Sequence, residues 1–317
     1  MAKSRNFSRS SASGHPRDQT PAKPGKAAEP SGETAGSKPA PGLYVVPTPI
    51  GNMRDITLRA LDILQQVDLI ACEDTRVTGR LLDFHGITTP VTAYHDHNAP
   101  RVRPELLRRA EAGASIALVS DAGTPLISDP GYRLVQEAVE RSIAVTALPG
   151  ASAVMTALTA SGLPTDRFLF LGFPPSRASA RKKLFEEVAA VRTSLVFFES
   201  ARRLAASLGA MAVVFRKRDA VVARELTKRY EELRRDTLPA LAKHYTQAGP
   251  PKGEVVIVVG PPGDLPPPGP EEIDRLLREA LETQSMRDAV SAIADQTGVA
   301  RREVYDRALA LTGRGRR

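Results

Sequence analysis

The parts of this chain that could do chemistry are loops of Gly, Pro, small and acidic residues placed directly after short apolar runs. In parallel α/β sheets ligands bind beyond the carboxyl ends of strands, so each such loop is a candidate site wall. Pro47-Thr48-Pro49-Ile50-Gly51-Asn52 is a stiff turn in which Gly51 would let the backbone approach a ligand. It lacks the spacing of a dinucleotide fingerprint or a phosphate loop. Cys72-Glu73-Asp74-Thr75-Arg76 sets adjacent carboxylates and an arginine after a buried-type run. These groups could fix a ligand hydroxyl or amine, or Asp74 could cap the helix that begins at Thr75; both readings stand open.

Ser120 to Gly131 (SDAGTPLISDPG) is twelve residues of small, turn-forming types. Main-chain N–H and C=O groups in such a loop can read an amino-acid or adenosine moiety, and a purely structural loop of this length is uncommon. Leu148-Pro149-Gly150-Ala151-Ser152-Ala153 runs into a helix start whose free N–H groups suit a carboxylate. The alternative is a tight strand-to-helix turn.

These loops need a scaffold of alternating strands and helices. Strand-like runs at Leu43–Val46, Leu69–Cys72, Ser115–Val119 and Ile143–Leu148 alternate with helical spacing at Leu58–Val67 and Tyr132–Glu140. The pattern predicts a mainly parallel, helix-covered sheet in a first α/β domain over 43–164. Runs at Arg167–Gly172, Ser194–Phe198, Val213–Phe215, Val221–Arg224 and Glu254–Val259, with helices at Ala178–Ala190 and Arg202–Leu208, predict a second α/β domain with a mixed sheet over 165–260. A Pro-rich linker over 261–270 leads to a helical tail over 271–317. There a helix ended by Gly298 and a basic helix carrying Arg301, Arg302 and Arg307 form a helix-turn-helix pattern. Nucleic-acid contact is the favoured reading of this tail, and a helical hairpin capping the second domain is the other.

Of the 317 residues, 42% are hydrophobic, which is enough for two cores. The single cysteine excludes an internal disulfide and a cysteine-rich zinc site. His95 and His97 lack a third ligand nearby, so no metal is expected. No apolar run suits a membrane span, and the expected location is cytoplasmic. The net charge of +8 sits at the ends, +4 over 1–42 and +4 over 300–317, with the middle neutral. Basic ends attract polyanions without sequence preference. Residues 1–42 have no apolar periodicity and are expected to be disordered.

The succession PTPIGN, ACEDTR, SDAGTPLISDPG, LPGASA, GLPTDRFLFLGFPP, FFES, ARELTK and GEVVIVV resembles the tetrapyrrole-methylase superfamily, most closely its ribosomal RNA small-subunit methyltransferase I branch. The resemblance implies a two-domain class III methyltransferase fold that dimerises and holds S-adenosylmethionine between its domains. It also implies methylation of a cytidine 2′-hydroxyl in the decoding region of 16S rRNA, with the 30S subunit as partner. Cofactor positions fall on Gly51, Asp74, Ala122, Gly123, Thr124, Ile127, Ser152, Ala153, Phe198 and Leu226. The chain departs from that branch at Ala151-Ser152, often Pro-Cys, and at Arg202, often His.

A ribose hydroxyl needs a proton acceptor. Candidates are Asp74 and Lys228, the latter with a pKa lowered by burial and oriented by Glu225, although a surface Lys with a structural Glu is an equal alternative. For RNA, Arg76, Tyr94, His95, His97, Asn98 and Arg203 offer stacking, donors and charge. A tetrapyrrole or other small-molecule methylase would not need the basic tail, and a non-enzymatic assembly factor would not need the cofactor loops.

Overall fold

The computed structural model describes residues 38–216, 218–263 and 269–312. Expectations for the first 37 residues, for the Pro-rich core of the linker and for the last arginines fall outside these. The tail expected to be disordered through residue 42 is placed from Lys38, whose ammonium pairs with Asp68 at 2.8 Å. Gly42 already opens a strand, at φ 146°, where a Cβ would meet the Ala144 carbonyl at 2.6 Å.

The first sheet holds β1 (Gly42–Val45), β2 (Leu69–Cys72), β3 (Val91–Ala93), β4 (Ser115–Val119) and β5 (Val145–Ala147), all parallel, in the order β3-β2-β4-β1-β5. Helices α1 (Leu58–Gln66), α2 (Thr75–His85), α3 (Ala99–Glu111) and α4 (Tyr132–Glu140) connect its strands. Alternation along each strand divides the core between the two faces. Leu43, Leu69, Ala71, Ile116 and Leu118 pack on one face, and Tyr44, Ile70, Cys72, Ala117 and Val119 on the other.

Helix α5 (Ala153–Ser161) leads to the second sheet. Its strands are β6 (Phe168–Phe170), β7 (Ser194–Ser200), β8 (Asp219–Arg224), β9 (Glu232–Thr237) and β10 (Glu254–Val259), in the order β6-β7-β10-β8-β9, parallel only between β6 and β7. Helices α6 (Ala178–Glu187), α7 (Leu204–Phe215) and α8 (Leu238–Ala248) accompany it. Leu195, Phe197, Val222 and Ile257 face these helices. Val196, Val221, Val256 and Val258 face Val154, Ala157 and Leu158 of α5, and Ile50 joins the same cluster. That shared cluster ties the first sheet's loops to the second sheet.

Val213–Phe215 is the last turn of α7 rather than a strand, because Leu204, Leu208, Met211 and Phe215 are buried at helical spacing. Strands β3 and β9 are short or polar edge strands (VTA and ELRRDT), with no apolar run to announce them. In the tail, α9 (Pro270–Leu281), α10 (Met286–Thr297) and α11 (Arg301–Leu311) enclose their own core of Ile273, Leu277, Val290, Ile293 and Val304. The turn from α10 to α11 uses Gly298 at φ 73°. Among the described residues, no helix is long and apolar enough to cross a membrane.

Candidate active site

A cleft of about 710 Å³ is walled by loops of the first sheet and by strand ends of the second. The first wall is the loop after β4, with Asp121 to Thr124 and Ile127 to Asp129, together with Ile50 and the start of α5 at Ser152 and Ala153. The second wall is Phe173, the end of β7 from Phe198 to Arg202, Ala223, Leu226, and Gly253 to Val256.

The loops of the first wall are bound to one another before any ligand arrives. Thr48 and Gly123 exchange backbone hydrogen bonds, both 2.9 Å, and Thr124 Oγ1 donates to the Ala151 carbonyl at 3.0 Å. Gly123 takes φ 83°, and a Cβ there would press on Ile50 Cγ2 at 3.2 Å. Gly150 is needed for contact instead, since a Cβ would lie 2.5 Å from that of Pro47. Ser152 caps α5 and accepts the Met155 N–H. Leu126 and Ser128 sit at φ 72° and 66°, a conformation that costs a side-chain-bearing residue about 1–3 kcal/mol and clusters at ligand sites.

The second wall is built around Glu199, which is 2% exposed. Its carboxylate accepts the Ser200 N–H at 2.7 Å and the Ser207 hydroxyl, and pairs with Arg203 at 2.7 Å. Arg203 also donates to the Pro174 carbonyl at 3.1 Å. Arg203 therefore neutralises a buried carboxylate and is not a free RNA contact, which corrects that expectation. Beside it, Arg202 is exposed, lines the cleft, and forms no ion pair among the described residues.

Ala122, Gly123, Thr124, Ile127, Ser152, Ala153, Phe198 and Leu226 all line the cleft. Gly51, Asp74, Glu225 and Lys228 are not among the residues that line it. Gly51 abuts the 226–228 segment, where a Cβ would meet Thr227 Oγ1 at 2.8 Å and the Leu226 carbonyl at 3.0 Å. Asp74 caps α2, accepts the Arg76 N–H at 2.8 Å and pairs with the Arg76 guanidinium. These bonds hold its pKa down to about 2, which makes Asp74 a weak base, and the capping alternative is the one realised. Its N–H meets Asp121 Oδ1 at 3.0 Å, tying it to the cleft wall.

Lys228 also differs from expectation. Burial alone would depress its pKa, but hydrogen bonds to Glu225 at 2.8 Å and Glu254 at 2.9 Å outweigh that and raise it. A lysine so held keeps its proton and cannot serve as a base at neutral pH. Two carboxyls with raised pKa, Asp121 and Asp129, line the cleft itself. Burial pushes Asp129 up with Asp121 nearby, and burial with the neighbouring Asp74 raises Asp121.

Several groups proposed for RNA are structural. Tyr94 is buried in the core of the first sheet. Asn98 accepts the His95 N–H and donates to the Ala93 carbonyl, both at 2.9 Å, holding the turn into α3. Arg307 pins α11 to α9 through Asp274, at 2.8 and 2.7 Å. The rings of His95 and His97 meet edge-on at 6.0 Å. Arg76 is exposed at the start of α2, and Arg301 and Arg302 are exposed at the start of α11. Glu199, Arg202 and Glu254 were missed as site residues; their positions at strand ends facing the loops were the available signal.

A family model described as tetrapyrrole (corrin/porphyrin) methylases matches residues 42–242, and one described as the RsmI C-terminal HTH domain matches 267–312. The chain belongs to the tetrapyrrole methylase family. It is 52% identical over 272 residues to the ribosomal RNA small subunit methyltransferase I of Mesorhizobium japonicum, covering 86% of this chain and 92% of that protein. It is 50% identical to the same-named protein of Erythrobacter litoralis, covering 86% and 96%. Among solved structures, diphthine synthase matches with TM-score 0.56 at 17% identity, over 69% of this chain and 89% of that one. Cobalt precorrin-4 methyltransferase matches with TM-score 0.54 at 18% identity, over 69% and 94%. The structural likenesses show the fold; the family makes the chain a methyltransferase.

Proposed function

We propose that the protein transfers a methyl group from S-adenosylmethionine to the 2′-hydroxyl of a cytidine in the decoding region of 16S rRNA. The observation that carries the reading is the pairing of a preformed cleft with a helix-turn-helix tail whose last 18 residues carry a net charge of +4, in a chain of which 86% matches an rRNA methyltransferase. A tetrapyrrole methylase has no use for that tail, and an RNA-binding factor without activity has no use for the cleft.

The cleft suits the cofactor. Its volume is in the range of small-molecule sites, its lining pairs apolar Phe198 and Leu226 with small Ala122, Gly123 and Ala153, and the N-terminus of α5 favours a carboxylate. The bound cofactor supplies an electrophilic methyl on a sulfonium. The chain's contribution is alignment, which can lower such a barrier by about 7–11 kcal/mol. The prebonded loops at Thr48, Gly123, Thr124 and Ala151 hold the first wall in place, and the Glu199–Arg203 pair fixes the second. Asp129, its pKa raised by burial and by Asp121 nearby, takes the one proton that the hydroxyl releases. Lys228, Glu225 and Glu254 brace the segment that carries Leu226. We further propose action on the assembled 30S subunit in the cytoplasm, as a homodimer. Phe84 on α2, whose ring meets that of His85 edge-on at 4.9 Å, is 60% exposed and offers an apolar group for self-association.

The test is transfer of tritiated methyl from S-adenosylmethionine to 30S subunits and to naked 16S rRNA, with Gly123→Arg as control. Label in the RNA that the control abolishes is expected. Cofactor binding without RNA labelling would favour a small-molecule acceptor.

A further inference from the structure

The tail carries a second surface feature, a groove of about 560 Å³ between α10 and the start of α11. Its floor is Val290, 2% exposed, with Met286 beside it. Its sides are Arg287, Arg301, Arg302 and Tyr305, and the Tyr305 ring is 45% exposed. None of these arginines has a hydrogen-bonded or ionic partner among the described residues, whereas Arg275 and Arg307 are both committed to carboxylates.

Among the described residues, no acidic residue lines this groove. Asp274, Glu303 and Asp306 line a second depression on the α9 side of α11, which shares only Arg302 with it. Asp288, next to Arg287 in sequence, is turned to the Ser285 hydroxyl at 2.7 Å. The result is one face with three unpaired guanidinium groups around an exposed aromatic ring over an apolar floor. Aromatic faces stack unpaired bases and guanidinium groups neutralise phosphates, and the combination is the working unit of single-strand binding.

We propose that this groove is a single-stranded RNA site, in which Tyr305 stacks an unpaired base and Arg287, Arg301 and Arg302 hold the flanking phosphates. The occupant is RNA rather than an acidic peptide because a flat, exposed ring among the cations serves a base and gives nothing to a carboxylate. The inference rests on the rRNA reading of the chain, and it places RNA contact on a face of α11 that excludes Arg307.

The test uses the full chain and a fluorescein-labelled mixed-sequence RNA 12-mer, read by anisotropy across a salt series. Tyr305→Ala is expected to weaken binding roughly tenfold and Tyr305→Phe to leave it near wild type, because stacking needs the ring and not the hydroxyl. Replacing Arg287, Arg301 and Arg302 with Ala should lower the slope of log K against log salt by about 2, given roughly 0.7 per phosphate on a single strand. Binding of S-adenosylmethionine should be unchanged in every variant, which confirms an intact body. Unchanged RNA affinity and slope would overturn the proposal, as would no 12-mer binding by wild type or equal competition by polyglutamate. Wild type that binds the 12-mer in this way yet never methylates 30S subunits would overturn the function proposed for the cleft and leave the groove standing.

Discussion

Gly51 lies directly against Thr227: the Asn52 N–H donates to Thr227 Oγ1 at 3.1 Å, and a Cβ on Gly51 would come within 2.8 Å of that oxygen. Thr227 itself sits at φ 63°, an unfavourable conformation for a β-branched residue. The seam between the two halves is thus closed by a residue with no side chain facing one held in a strained turn. Gly51→Ala must push the Leu226 carbonyl as well as side chains. It is expected to cost about 1–3 kcal/mol of stability and at least tenfold in cofactor affinity, because Leu226 is displaced. Thermal unfolding and calorimetric titration with S-adenosylmethionine check this.

The Glu199–Arg203 pair predicts strong non-additivity. Arg203→Ala leaves a buried carboxylate without its cation and should cost about 3–5 kcal/mol, while Arg203→Ala combined with Glu199→Gln should recover a large part of the loss. Denaturant unfolding of the single and double variants measures the coupling. Simple additivity would mean that Glu199 draws little from Arg203.

Asp129 predicts a conflict between stability and activity. Its pKa is raised by burial, so ionisation costs the folded state. For an acid with a raised folded pKa, that cost is present above the folded value and is relieved as pH falls toward the unfolded one. Asp129→Asn should therefore raise Tm by about 2 °C at pH 8, lose that advantage in acid, and lower kcat at least a hundredfold. Scanning unfolding from pH 4 to 8 alongside methyl transfer separates the two effects.

Asp68 predicts the opposite sign. Hydrogen bonds from Lys38 and Ser115 lower its pKa to about 2. Stability from Asp68 is then present above its ordinary value of 3.8 and lost as pH falls from there toward 2. Asp68→Ala, which abandons the Ser115 N–H at 2.8 Å, should cost about 1–3 kcal/mol at neutral pH. The penalty should shrink in acid, which denaturant unfolding at pH 7 and pH 3 would register.

Lys228 tests which group handles the proton. Paired with two carboxylates, it stays charged, and Lys228→Arg preserves that charge. Loss of activity is expected to stay within about fivefold, against the roughly 100-fold or more that removal of a general base brings. The pH–rate profile of the variant should keep its acidic limb.

The parallel first sheet was legible because its strands are buried on both faces and read as continuous apolar runs, as Leu69–Cys72 and Ser115–Val119 do. The edge strands were not, because β9 presents Arg234, Arg235 and Asp236 to solvent or to polar side-chain and backbone partners and has no apolar run to find. The glycine-rich first wall of the cleft was legible for a related reason: only a close backbone approach explains that density of small residues. What the sequence could not disclose was which ionisable groups were already engaged. Asp74, Arg203, Asn98 and Arg307 all have types that suit a site, yet each is committed to a cap, a buried partner or a neighbouring helix. Type and spacing suggest what a side chain can do, while its hydrogen-bond partners decide whether it is free to do it.

Methylation of an rRNA ribose hydroxyl by this cleft, as proposed above, is tested most directly by nucleoside mass spectrometry of 16S rRNA recovered from 30S subunits after incubation with the protein and deuterated S-adenosylmethionine. One added equivalent of deuterated 2′-O-methylcytidine, absent with Gly123→Arg, is the predicted result. Deuterium on a base, or none in the RNA while the cofactor binds the cleft, would contradict it.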